Sequence, residues 1–83
     1  MISFKLISKS SGVSSKTNKP WYMVVLRATE NGKSTVNNFF VSEKTWSNML
    51  RDGVAEDDIV LVTATLEANL RFAIDIIEKA EVN

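Results

Sequence analysis

The side chains in this sequence best suited to chemistry are aromatic rings set among cations. Trp21 and Tyr22 follow Lys19-Pro20, Phe39-Phe40 closes a polar run, and Lys5, Lys9, Lys16, Lys19 and Arg27 precede or separate them. Flat rings stack on bases at roughly 1–3 kcal/mol each and cations neutralise phosphates, a combination that suits single-stranded nucleic acid. Catalysis has far less to work with. The chain has no histidine and no cysteine, which removes the commonest general base, the commonest metal ligand and any thiolate or disulfide chemistry. The serines have no histidine to activate them and no lysine at a recognised spacing. Glu56-Asp57-Asp58 lacks the ligand spacing of a calcium loop and reads as a solvated turn before a strand. The three glycines, Gly12, Gly32 and Gly53, form no phosphate-cradling motif. No enzymatic activity, cofactor or metal is expected.

The formal net charge is zero, yet the charge is sorted along the chain. Residues 1–51 hold eight Lys/Arg against Glu30 and Glu43, a balance of +6. Residues 52–83 hold Arg71 and Lys79 against eight acids, a balance of −6. Such asymmetry implies one basic face, of the kind a polyanion binder presents. Chance clustering over a mixed surface is the plainer alternative.

These residues must be positioned by a small scaffold. Eighty-three residues allow one domain over 1–83, burying about 60–65% of the surface its unfolded chain exposes. Hydrophobic residues at 45% and charged residues at 24% fit a globular chain rather than a disordered one. The apolar runs are too short to span a bilayer. Met1-Ile2-Ser3-Phe4-Lys5 lacks the order of a signal peptide, so a cytoplasmic location and no membrane partner are expected.

Period-two alternation places a strand at Ile2–Ile7. Ser8–Lys16, with five serines, reads as a polar loop. Trp21–Leu26 reads as a second strand opened by Pro20, Asn31-Gly32 as a hairpin turn, and Ser34–Val41 as the third strand. Ser42 is a good N-cap, and Trp46, Met49 and Leu50 share one helical face up to a stop at Gly53. Ile59–Leu66, and Leu70–Ile77 or beyond, form the last two strands, joined by a tight turn near Ala68-Asn69. Five strands with a helix between the third and fourth predict a mainly β chain, a five-stranded OB-fold Greek-key barrel.

A two-residue turn at Asn31-Gly32 makes opposed residues sum to 63. Arg27 then faces Val36, Val25 faces Asn38, Met23 faces Phe40 and Trp21 faces Ser42, all on one side of the hairpin. Tyr22, Val24, Leu26 and Phe39 fall on the other side. Arg27 and Asn38 do not belong in a core without partners, so their side is assigned to solvent. By the same parity Lys5 and Lys9 point outward, opposite to Phe4 and Leu6. The predicted nucleic-acid surface is therefore Lys5, Lys9, Trp21, Met23, Arg27, Asn38 and Phe40, with Lys16 and Lys19 from the loop. The competing possibility is that Trp21 and Phe40 pack under a loop or the helix, or fill an interface. The Ser8–Lys19 loop carries three lysines and no acid; it suits a phosphate backbone as well as it suits a solvated hairpin tip.

The segment Ser11-Gly12-Val13-Ser14-Ser15-Lys16-Thr17-Asn18-Lys19-Pro20-Trp21 resembles the first hairpin of the filamentous-phage gene V type of single-stranded DNA-binding protein. That pattern runs Ser-Gly-Val-Ser, one or two basic or polar residues, then Gly-Lys-Pro-Tyr. The resemblance spans about a dozen residues, and the rest is similar only in size and pattern. It implies a cooperative, sequence-tolerant coat on single-stranded DNA during replication, built from a homodimer. It implies base stacking for Trp21, with Met23 beside it, and phosphate contacts for Lys16 and Lys19. Asn18 stands where the family has glycine, and both tolerate a left-handed backbone. Ser10 stands where the family has a basic residue, a contact that Lys9 would have to supply. Bacterial single-strand binders share the architecture and end in a flexible acidic tail; residues 78–83 do not match one, and none is expected.

The sequence therefore leads to a sequence-nonspecific single-stranded DNA-binding protein, with RNA as the alternative ligand. A homodimer and replication proteins are its expected protein partners. The rival is a protein–protein adaptor or assembly subunit that uses Trp21, Met23 and Phe40 as an interface.

Overall fold

The computed structural model describes residues 2–80. In chain order the elements are β1 (Ser3–Val13), β2 (Pro20–Glu30), β3 (Lys33–Val41), α1 (Glu43–Arg51), β4 (Ile59–Leu66) and β5 (Phe72–Lys79). The strands form one antiparallel sheet in the order β3-β2-β1-β4-β5. The chain is mainly β, with its short helix between the third and fourth strands as expected. Residues 81–83, on which the expectation of no acidic tail partly falls, lie outside the described residues.

The β2–β3 hairpin follows the predicted register over most of its length. Asn31 and Gly32 both have positive φ, 53° and 79°, the backbone that a two-residue primed turn requires. Glu30 pairs with Lys33, Arg27 with Val36, Val25 with Asn38 and Met23 with Phe40. The predicted Trp21–Ser42 pair does not form. β3 ends at Val41 opposite Tyr22, because Ser42 leaves the ladder to cap the helix, its Oγ accepting from the Thr45 N–H at 3.2 Å.

The side assignment holds. Val24, Leu26 and Val41 are buried with Leu6, Met49, Val54, Val60, Ile74 and Ile77, while Tyr22 and Phe39 pack against that core from half-buried positions. The expected loop at Ser8–Lys16 is strand over its first six residues. β1 continues to Val13, paired with Pro20, so only residues 14–19 connect the strands. Hydroxyl-rich composition signalled a loop there, but pairing with the apolar start of β2 overrides such propensity.

A bulge at Ile7 changes the side on which later residues of β1 fall. Leu6 opposes Leu26, whereas Ser8 opposes Val25 and Lys9 opposes Val24. One extra residue reverses the alternation, and Lys9 therefore shares the side of buried Val24. The cause lies at Leu6, whose N–H donates to Asp58 O at 2.9 Å and whose C=O accepts from the Asp57 N–H at 2.7 Å. The α1–β4 connection thus occupies the backbone groups of β1 where the bulge sits.

The helix begins at the Ser42 cap with Glu43 in its first turn, favourable at the positive end of the dipole. It ends with Gly53 at φ 70°, where the Gly53 N–H donates to Leu50 O at 3.2 Å and the Val54 N–H to Met49 O at 3.0 Å. This is the Schellman arrangement, with buried Val54 and Met49 as its apolar contact. The inner stripe differs from the predicted one. Leu50 is exposed, and Thr45 is buried in its place, its hydroxyl donating to Asp75 O at 2.9 Å. Thr45 and Met49 are four apart and share the inner face, and the Thr45 hydroxyl is satisfied by β5. Trp46 packs on Tyr22, ring centroids 5.3 Å apart.

Candidate nucleic-acid interface

The outward side of β1, β2 and β3 is built from rows of opposed residues about 7 Å apart along the strands. Gly12 lies beside Trp21, Ser10 beside Met23 and Phe40, Ser8 beside Val25 and Asn38, and Lys5 beside Arg27 and Val36. Aromatic and apolar residues occupy one end of this face and the Lys5–Arg27 pair the other. Trp21 and Arg27 are six residues apart on one strand, about 20 Å.

At the aromatic end Trp21 meets Phe40 edge to face, with centroids 6.4 Å apart and planes at 90°. Phe40 is 72% exposed, so it is not packed beneath a loop or the helix. Trp21 is half-buried because its ring covers Gly12, where a Cβ would meet Cζ2 at 2.7 Å and Cε2 at 2.9 Å. Only a residue without a side chain leaves the indole room to lie there. Trp21, Met23, Phe40 and Ser14 enclose an open hollow of about 350 Å³.

The loop that carries Lys16 and Lys19 is organised by Ser14. The Ser14 N–H donates to Lys19 O at 2.9 Å, its C=O accepts from the Asn18 N–H at 2.8 Å, and its Oγ lies 3.3 Å from the Lys16 N–H. Asn18 has φ 56°, the left-handed conformation its type tolerates. Lys16 and Lys19 are exposed and flank the hollow through Ser14. Neither is held by an ion pair among the described residues.

Of the nine residues selected from sequence, Trp21, Met23 and Phe40 converge on one hollow, and Lys5, Arg27 and Asn38 share its face. Lys9 does not. Its ammonium donates to Val54 O at 3.0 Å, tying β1 to the end of the helix. The bulge at Ile7 is the physical reason, and no strict alternation could have anticipated it. Gly12 and Ser14 were not selected; their roles follow from pairing Gly12 with Trp21, which needs the true extent of β1.

The acidic half lies partly apart from this face. Asp52 and Glu78 border a hollow with Leu61 and Lys79 on the β4–β5 side. The Asp58 carboxylate accepts from the Ala55 N–H at 2.8 Å, closing the turn before β4. Asp75 is the exception. It borders a second hollow, of about 510 Å³, on the far side of Phe40.

No helix among the described residues is long and apolar enough to cross a membrane. The chain matches no protein-family model, no curated protein and no solved structure.

Proposed function

We propose that this chain is an OB-fold protein that binds single-stranded DNA without strong sequence preference, stacking bases on Trp21 and Phe40 and meeting phosphates with lysines and Arg27. The observation that carries this reading is the pair of perpendicular rings at an open hollow, one of them laid over a glycine, beside an acid-free lysine loop. A contiguous apolar patch of Trp21, Met23 and Phe40 on an open sheet face suits a binding surface, and stacking tolerates any base because each has a π-face. The sheet order supports the OB assignment. A barrel unrolled between β3 and β5 has the order β3-β2-β1-β4-β5, and in that architecture the face of strands two and three binds oligonucleotides. The resemblance of residues 11–21 to the gene V type hairpin supports the same function, in replication, and brings with it a homodimer. Catalysis forms no part of the proposal.

Fluorescence anisotropy of labelled oligo(dT), oligo(dA), oligo(U) and a duplex tests it. Comparable binding of the two DNA single strands, weaker binding of the duplex and a steep loss with salt are expected. Equal affinity for duplex, or binding indifferent to salt, contradicts it. The salt arm also addresses the adaptor alternative, because an apolar protein interface responds little to counterions.

A further inference from the structure

Phe40 stands between two hollows, one toward Trp21, Met23 and Ser14 and the other toward the helix N-terminus and β5. Its ring is perpendicular to Trp21 and largely exposed, so it forms an upright ridge, open on both sides. The second hollow has a different character from the first. Ser42, Lys44 and Asn48 border it on the helix side, and Asp75 borders it on β5. It therefore has one cation against one acid and no positive balance to hold a phosphate. The Asp75 carboxylate accepts from the Thr65 hydroxyl at 2.6 Å, which fixes a negative group at its wall. Asn48 brings an amide that both donates and accepts, the chemistry that reads the edge of a neutral base.

Resting on the reading that the face binds single strands, we propose that Phe40 is a wedge between two successive bases. The first base lies on the open face of the Trp21 indole, whose other face covers Gly12, in the hollow shared with Met23 and Ser14. A strand that continues along the sheet toward the helix meets the upright Phe40 ring across its path, so the second base cannot lie down beside the first on the same side of it. It drops into the helix-side hollow, with one face against Phe40 and its edge toward Asn48, while the linking phosphate stays on the solvent side, away from Asp75. The ligand of the helix-side hollow is thus a nucleobase of the same strand. A bound strand is unstacked at this single step and is not simply laid along the sheet.

A 2-aminopurine dinucleotide, which has one step and so no other register, reads it, since its exciton couplet in circular dichroism exists only while the two bases stack on each other. Saturating wild-type protein is expected to remove most of the couplet while quenching Trp21 emission. Phe40→Ala, at an exposed position, is expected to bind about tenfold more weakly and at saturation leave the couplet in place. Asn48→Tyr, which fills the second hollow, is expected to weaken binding with Trp21 still quenched. A couplet that survives wild-type binding with Trp21 quenched overturns the wedge and spares the stacking face. A couplet lost equally with Phe40→Ala overturns the wedge as well. Absence of any binding overturns both.

Discussion

The Trp21 indole covers Gly12 on the neighbouring strand so closely that a Cβ there would lie 2.7 Å from Cζ2. A contact that short forces the ring to move. Gly12→Ala is therefore expected to lower oligonucleotide affinity by about as much as loss of one stacked base, roughly 1–3 kcal/mol. Stability should change little, because the gain of about 0.4–1 kcal/mol that alanine brings by restricting the unfolded chain is offset by the lost contact of the displaced ring. Oligo(dT) titrations and urea melts of the same variant separate the two effects.

Lys9 offers the reverse contrast. Its ammonium is bonded to Val54 O on the inner side of the sheet, away from the stacking face. Lys9→Met should cost about 1–3 kcal/mol of stability, in the range of a hydrogen bond to a charged group. Affinity for oligo(dT) and its salt slope should be unchanged. A shallower slope in this variant would return Lys9 to the binding surface.

Lys16 and Lys19 should behave as phosphate contacts. Each phosphate neutralised on a single strand contributes about 0.7 to the slope of log affinity against log salt. If Lys5, Lys16, Lys19 and Arg27 each engage one, the wild-type slope is about −3. Lys16→Ala with Lys19→Ala should reduce its magnitude by about 1.4, equally on every sequence, with no change in base preference.

Gly32 holds the register that brings Met23 and Phe40 onto one surface. With φ at 79°, valine there should destabilise the hairpin by about 1–3 kcal/mol. Nothing lies within 4 Å of a Cβ at this position, so the cost is one of backbone conformation alone. Gly32→Asn, which tolerates the left-handed region, should recover most of it in the same melts.

Much of this arrangement is legible in the residues themselves. Asn31-Gly32 specifies a turn with both φ values positive, and from that turn alone the Met23–Phe40 and Arg27–Val36 pairs follow. Ser42 and Gly53 mark the helix because their capping chemistry is local. What stays hidden is set by contacts distant in the chain. Ile7 becomes a bulge because residues 57 and 58 take the backbone of Leu6, and Lys9 changes sides as a result. The serines of residues 8–11 look like loop until they are paired with Met23–Val25 and Tyr22. Thr45 replaces Leu50 on the inner helix face because Asp75 O lies within reach of its hydroxyl. The helix-side hollow beside Phe40 combines residues from both halves of the chain, and no local pattern announces it.

The most direct test of the stacking face uses Trp46→Phe, which leaves Trp21 as the one indole. Trp46 packs against Tyr22 at the core margin, and phenylalanine keeps that contact. Oligo(dT) should quench the Trp21 emission saturably, with the apparent affinity falling about a thousandfold per tenfold rise in salt for four engaged phosphates. An emission spectrum that does not change while the oligonucleotide binds would place the bases elsewhere and contradict the account.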